Sequence, residues 1–179
     1  TVLLLALPLF PHPRPQPAAR VSLPNCNGCG RCFADCPYAA VILQPRTDGK
    51  PNAMQAVVLT ELCAGCGICA GACPSSTPFR SADELVTGID LPQRSIQAVR
   101  AELEQALVRL RGSCKVVIFG CDSGAAVAAL AAPDTAAISL ICAGMLPPSF
   151  VEYAVRGGAD GVLVTGCRQG DCLYRLGNR

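Results

Sequence analysis

The chain has 179 residues, 13 of them cysteine, and a formal net charge of +2 from 15 basic and 13 acidic side chains. This near-balance of charge argues against a nucleic-acid-binding protein that depends on broad phosphate neutralisation. A hydrophobic content of 51% excludes a disordered chain. The cysteines are odd in number and are bunched closely along the chain. Metal ligation is therefore expected rather than a secreted disulfide framework.

The chain opens with an apolar segment, TVLLLALPLF at residues 1–10. A bilayer span needs about 20 residues, so we expect this segment to be the end of a transmembrane helix. A signal-peptide remnant and a strand are the alternatives. Residues 11–20 hold four prolines and two arginines, which predicts an extended linker on the cytoplasmic side. The expected location is the cytoplasm, or the cytoplasmic face of the membrane.

A repeated cysteine motif follows the linker. Residues 26–37 read CNGCGRCFADCP and residues 63–74 read CAGCGICAGACP, so both copies follow C-x2-C-x2-C-x3-C-P. An apolar run of the β type follows the first copy at 40–43, and another precedes the second copy at 56–60. The Asp48-Gly49 pair between these runs is a turn signal. The pattern predicts a duplicated unit with pseudo-two-fold symmetry.

The spacing of each motif is typical of a [4Fe-4S] site, because three close cysteines can wrap one cluster when glycines let the backbone turn tightly. Zinc is the alternative, but zinc sites usually join two C-x2-C pairs across a longer loop. Over about residues 21–80 the chain resembles the bacterial two-cluster ferredoxin family. The resemblance implies a pair of ββ/α halves and one-electron transfer.

The same resemblance implies that the fourth cysteine of each motif binds the cluster of the other motif. The first [4Fe-4S] cluster is then held by Cys26, Cys29, Cys32 and Cys73. The second is held by Cys63, Cys66, Cys69 and Cys36.

The remainder of the chain changes from cysteine loops to helices and strands. Residues 81–114 are expected to form a connector and an amphipathic helix from about Gln93 to Arg111. Beyond it, strands are predicted at 115–119, 137–141 and 161–165, and helices at 123–131 and 147–156. Strands that alternate with helices indicate βαβ crossovers. The predicted fold class is an α+β ferredoxin-like two-cluster domain, followed by an α/β domain (115–179) with a small parallel sheet.

Four further cysteines lie at or just beyond the predicted strand ends. The carboxyl ends of parallel strands meet at one sheet edge, where ligand crevices form, so these thiols are expected to converge. Four thiolates suit a [2Fe-2S] cluster, with zinc and scattered core cysteines as the alternatives. The four residues are Cys121, Cys142, Cys167 and Cys172. Cys114 precedes the first strand and is predicted to be an ordinary buried thiol at the opposite edge.

Residues 115–179 also resemble the delta-subunit family of methyl-viologen-reducing hydrogenase. The matching stretches are VVIFGC, ICAGMLPPSFVEYAVRGGADGVLVTGCRQGDC and LGN. The resemblance implies a cysteine-ligated [2Fe-2S] cluster that passes electrons between a hydrogenase or other dehydrogenase and a flavin-containing reductase subunit. The chain departs from the family pattern at Gly124, Met145 and Leu173. The family domain normally continues further, so a C-terminal truncation is expected.

Together these patterns predict an iron–sulfur electron-transfer subunit or domain with two [4Fe-4S] clusters and one [2Fe-2S] cluster. Its expected partners are a hydrogenase or dehydrogenase and a heterodisulfide-reductase-like subunit. One alternative is the cytoplasmic head of a membrane-anchored oxidoreductase linked to quinone or cytochrome b. A zinc-stabilised interaction module is the other. The sequence shows no catalytic constellation, so whether the chain is itself an enzyme is left open.

Overall fold

A computed structural model describes residues 16–51, 54–80 and 87–175. The predicted apolar segment at 1–10, the first part of the proline-rich linker and the Leu176-Gly177-Asn178 stretch lie outside these residues. No helix within the three described ranges has the length and apolar character that crossing a bilayer requires.

The cysteine-rich half consists of short antiparallel ladders and two short helices. Its elements are β1 (Arg20–Val21), α1 (Arg31–Ala34), β2 (Val41–Pro45), β3 (Met54–Val58), α2 (Ile68–Ala72) and β4 (Ile89–Asp90). Strand β1 pairs with β4, and β2 pairs with β3. The two predicted apolar runs pair with each other on either side of the predicted turn, with Val41 opposite Val58 and Pro45 opposite Met54.

The two cysteine loops have the same backbone shape. Helix α1 begins after Gly30 and helix α2 begins after Gly67, with φ angles of 77° and 81° at the two glycines. Left-handed backbone of this kind favours glycine because a side chain would clash there. Each loop therefore turns into its helix at the same point of the motif, as a duplicated unit requires.

The second half is an α/β layer around a three-stranded sheet. Its elements are α3 (Ile96–Arg109), β5 (Val116–Cys121), β6 (Thr135–Leu140), α4 (Ser149–Arg156) and β7 (Gly161–Thr165). The strand order is β6-β5-β7, and both pairings are parallel. The predicted small parallel sheet is confirmed. Its carboxyl edge is where Cys121 ends the central strand.

Helix α3 follows the predicted amphipathic pattern. Ile96, Val99 and Leu103 are buried on one face. Ser95 caps the helix, because its side chain accepts a hydrogen bond of 3.1 Å from the Ala98 N–H. Helices α3 and α4 contact each other, and they contact β6 and β7 respectively.

Two local predictions are wrong. The alanine-rich residues 123–131 were expected to be helical, but only a single 3-10 turn forms, at Val127–Leu130. Val127 packs so closely against the central strand that a Cβ on Gly120 would lie 2.5 Å from its methyl groups. Tertiary packing therefore overrides the helix propensity of alanine. Cys114, expected to be buried, is exposed.

The hydrophobic core is continuous across the two halves. One cluster of buried side chains includes Ala70 of α2, Leu91, Met145 and Phe150. Gly71 marks a close approach of the two halves, because a Cβ there would lie 2.7 Å from the carbonyl oxygen of Gly144. Only glycine lets the α2 backbone approach the loop after β6 this closely. The cysteine-rich half is thus packed directly against the carboxyl edge of the sheet.

Candidate metal centres

The two cysteine motifs line two separate cavities. The thiols that line the first cavity, called the first site, are Cys26, Cys29, Cys32 and Cys73. Those that line the second cavity, called the second site, are Cys36, Cys63, Cys66 and Cys69.

Each cavity takes its fourth thiol from the other motif. Cys73 follows α2 in the second motif but lines the first cavity, and Cys36 follows α1 in the first motif but lines the second. The short helices cause this exchange, since each carries the chain from its own cavity to the opposite one. The arrangement has the grouping that the sequence predicted, although the ligand assignment itself stays a prediction.

Burial raises the pKa of two of these thiols and so disfavours their ionised form. Burial, and then the neighbouring thiols of the same site, raise the pKa of Cys32 to about 11. The same causes raise the pKa of Cys69 even further. A bound cation reverses this effect, because a coordinating thiol is deprotonated outright. Four cysteines around each cavity are a donor set that would bind a metal group as thiolates.

The carboxyl edge of the sheet brings the other four predicted ligands together. This third site comprises Cys121, Cys142, Cys167 and Cys172. The Sγ atoms of Cys121 and Cys167 lie 3.4 Å apart. Cys142 and Cys172 are both buried in one small cluster. Burial, and then the thiols of Cys121, Cys66 and Cys172, raise the pKa of Cys142 to about 11.

One pair of thiols in the third site has a separation that suits a shared metal ion. Two thiolates on one tetrahedral ion, with metal–sulfur bonds of about 2.3 Å, lie about 3.8 Å apart. The separation of Cys121 and Cys167 is close to that value. Gly124 adjoins the site, and a Cβ there would meet the Gly166 carbonyl oxygen at 2.9 Å. The chain departs from the family pattern by having glycine at position 124. The two loops are so close at this point that a side chain there would clash.

In the part of the chain that the structure describes, no three His, Cys, Asp or Glu side chains converge closely enough to hold a single metal ion. The thiols of the first and second sites surround a space instead.

The second and third sites meet at a buried junction. Cys66 of the second site lies in the same buried cluster as Cys142, Cys172 and Tyr174. The hydroxyl of Tyr38 donates a hydrogen bond to the Tyr174 carbonyl oxygen. Tyr38 lies two residues after Cys36, and Tyr174 lies two residues after Cys172. This bond therefore joins a loop of the second site to a loop of the third.

A charged group lies beside the first site. Arg46, in the turn that follows β2, donates to the Cys26 carbonyl oxygen from Nη1 at 2.6 Å and to the Leu23 carbonyl oxygen from Nη2 at 2.6 Å. Its guanidinium also pairs with Asp48 at 2.5 Å. The hydrogen bond from Arg46 lowers the pKa of Asp48 to about 2.

No motif in the sequence indicates a role for Arg46, Tyr38 or Tyr174. Arg46 and Asp48 stand in the predicted turn between two strands, which is a weak sign of an ion pair. For the two tyrosines the chain offers only their position close behind a cysteine. Their pairing depends on the contact between the two halves.

Paired cavities lined by four cysteines each, beside a cysteine-bearing edge of a parallel sheet, are features of an iron–sulfur protein. Residues 25–77 match the family model of the 4Fe-4S dicluster domain. Residues 113–179 match that of the methyl-viologen-reducing hydrogenase, delta subunit. Both resemblances inferred from the sequence are confirmed.

The chain is similar to curated proteins over shorter stretches. An iron–sulfur subunit of the F420-non-reducing hydrogenase vhc of Methanococcus voltae is 46% identical over 46 residues, which is 26% of this chain and 32% of that protein. The corresponding iron–sulfur subunit of the F420-non-reducing hydrogenase of Archaeoglobus profundus is 44% identical over 46 residues, 26% of this chain and 34% of that protein.

A second kind of relative is a subunit of the ferredoxin:CoB-CoM heterodisulfide reductase of Methanosarcina mazei. It is 51% identical over 41 residues, which is 23% of this chain and 5% of that protein. The chain thus spans about a third of the two hydrogenase proteins and about a twentieth of the reductase protein. No solved structure matches the chain at a significant level.

Proposed function

We propose that the chain relays single electrons through three iron–sulfur clusters between two redox protein partners. The observation that carries this proposal is the junction at Cys66, where a thiol of the second site packs against Cys142 and Cys172 of the third. The three thiol sets then form a continuous series: first site, second site, third site.

The proposed ligands follow the two cavities and the sheet edge. The first and second sites would each hold a [4Fe-4S] cluster. The third would hold a [2Fe-2S] cluster, with Cys121 and Cys167 close enough to bind one iron atom. The clusters supply one-electron oxidation and reduction. The protein holds them in order, buries them and surrounds them with hydrogen bonds, which set their potentials.

We infer that this function divides the chain as the sequence suggests. Residues 21–80 would form the two-cluster domain, 81–114 the connector and helix, and 115–179 the delta-subunit-like domain. The shared core supports a fixed arrangement of the two, because Ala70 and Met145 belong to one buried cluster. Clusters held on two packed domains keep a constant separation.

The partners are proposed from the names of the relatives. One kind of relative is part of a hydrogenase and the other is part of a heterodisulfide reductase. At one end of the series we propose a hydrogenase-type or dehydrogenase-type donor or acceptor. At the other end we propose a heterodisulfide-reductase-like subunit. The substrate chemistry would then take place in the partners.

Metal analysis of protein purified without oxygen tests the proposal. We expect about ten iron atoms per chain, from two four-iron clusters and one two-iron cluster. Electron paramagnetic resonance of the reduced protein should show both cluster types. Eight irons without a two-iron signal would contradict the third cluster alone. Zinc, or no metal at all, would contradict the relay as a whole.

A further inference from the structure

The Arg46 side chain is largely covered by the surrounding protein and has three different partners. Its side chain is only 3% exposed, and Asp48 occupies one side of its guanidinium. The guanidinium also donates to two backbone carbonyl oxygens, those of Leu23 and Cys26, at 2.6 Å each. Burying a charge is costly unless it is paired and hydrogen-bonded, and here both conditions are met. The turn between β2 and β3 and the first cysteine loop thus hold the guanidinium in one place.

The guanidinium lies where the first cysteine loop begins. Cys26 is the first proposed ligand of the first site, and the Nη1 atom that binds its carbonyl oxygen is not bonded to Asp48. A second cation binds the same stretch of backbone, since Lys50 Nζ donates to the Pro24 carbonyl oxygen at 2.5 Å. Two positive side chains therefore hold residues 23–26.

The second site is surrounded differently although the two motifs are repeats. The uncharged amide of Gln93 donates to the Gly65 carbonyl oxygen at 3.3 Å. Two ligand sulfurs of this site accept backbone N–H groups: Cys63 from Ala19 at 3.5 Å, and Cys36 from Ala40 at 3.4 Å. A charged side chain thus lies at the first loop, where the second loop has an uncharged amide.

We propose that Arg46 is a positioning residue that raises the reduction potential of the first [4Fe-4S] cluster selectively. This inference rests on the proposed function. Reduction adds one electron to the cluster, and a fixed positive charge beside a ligand loop stabilises the added negative charge. When an electron passes from the second cluster to the first, the second is oxidised by one electron and the first is reduced by one. Arg46 shifts this equilibrium toward the first cluster.

A redox titration of the full chain, followed by electron paramagnetic resonance, tests the inference. The first-site signal is identified as the one that Cys29→Ser alters. In Arg46→Gln, we expect about a tenfold lower ratio of reduced to oxidised first cluster at a fixed potential, which is a shift of about 59 mV for one electron. The second-site potential should stay unchanged.

Asp48→Asn provides the matched variant of opposite sign. It removes a negative charge and leaves Arg46 bound to the two carbonyls, so the first-site potential should rise. Loosening of the loop alone cannot produce opposite shifts in the two variants. Arg109→Gln serves as a control for loss of a surface charge, because Arg109 binds Gln105 on α3. Its first-site potential should match that of the unaltered protein.

Three outcomes would overturn the inference: no shift in Arg46→Gln, equal shifts at both sites, or shifts of the same sign in Arg46→Gln and Asp48→Asn. If Arg46→Gln does not assemble the cluster, the direction of the Asp48→Asn shift decides. Intact four-iron signals with unmoved potentials refute the role of Arg46 and leave the relay standing. An unaltered protein without four-iron signals refutes both.

Discussion

Cys73 belongs to the second cysteine motif in sequence but to the first site in space. Cys36 makes the reciprocal move. Each site consequently depends on both motifs, so neither motif can complete a four-thiol set by itself. A cluster bound at either site would cross-link the two loops.

Serine variants of the exchanged cysteines test this grouping. Cys73→Ser should alter the same resonance signal as Cys29→Ser, and Cys36→Ser the same signal as Cys66→Ser. Loss of one whole cluster would remove about four of the ten expected iron atoms. The exposed Cys114 supplies the control, since Cys114→Ser should change neither the signals nor the iron content. Grouping of Cys73→Ser with Cys66→Ser would show that each motif holds its own cluster.

At the residue scale, the spacing of the cysteines could be interpreted from the sequence because ligand spacing is a local property. The twelve predicted ligands fall into three groups in space, as their motifs and strand ends suggested. Arg46 could not be assigned in this way. Its partners Cys26 and Leu23 lie 20 and 23 residues away along the chain, and only the folded hairpin brings them into contact.

At the scale of elements, α2 and the loop after β6 form the contact that aligns the two halves. Gly71 on α2 faces the Gly144 carbonyl oxygen, and Ile68 of the same helix packs with the third site. Helix α2 therefore has two tasks. It carries ligands of the second site, and it supports the edge of the sheet that bears the third.

Gly71→Ala should push helix α2 away from the loop after β6 and destabilise the protein. The new Cβ would lie 2.7 Å from the Gly144 carbonyl oxygen, so backbone must shift. Overpacking of this kind costs about 1–3 kcal/mol, which corresponds to a fall of roughly 2–12 °C in the unfolding midpoint. Thermal unfolding of the cluster-bound protein measures this change in the unfolding midpoint. Gly161→Ala is the matched control, because its Cβ would lie 3.9 Å from Val116. Equal midpoints for the two variants would exclude a tight contact at Gly71.

The elements that the sequence predicted well carry strong periodic or turn signals. Strand β7 has the predicted bounds, and the β2–β3 hairpin pairs around the Asp48-Gly49 turn. Residues 123–131 failed because their alanines give a helix signal with no apolar stripe to reinforce it. The structure instead bends this segment so that Val127 covers Gly120 and the loop at Gly124 meets the Gly166 carbonyl.

At the scale of the whole molecule, the three sites follow one another in space. The contact between the second and third sites joins the cysteine-rich half to the α/β half. Cys66 and Cys142 share one buried cluster, and Tyr38 binds the Tyr174 carbonyl across it. The rate of electron transfer between two clusters depends on their separation. A junction that fixes this separation therefore also fixes the rate of transfer. Packing alone allows small sliding movements, whereas a directed hydrogen bond fixes the register of the two loops.

Tyr38→Phe tests whether this bond holds the second and third clusters together. The ring remains, so packing is kept, but the Tyr174 carbonyl loses its donor; a bond of this kind contributes about 0.5–1.5 kcal/mol. We expect weaker magnetic coupling between the two reduced clusters and slower electron equilibration between them, at unchanged iron content. Pulsed resonance and rapid-mixing spectroscopy measure the two quantities.

Tyr153→Phe is the control for this experiment. It removes a hydroxyl that donates to Glu104 at 2.6 Å between α3 and α4, away from the three sites. A general loss of rigidity would weaken the coupling in both variants, whereas loss of the junction alone affects only Tyr38→Phe. Coupling that survives in Tyr38→Phe would mean that the packing around Cys66 and Cys142 is sufficient to fix the distance. The register of the two halves would then depend on that packing together with the close backbone contact at Gly71.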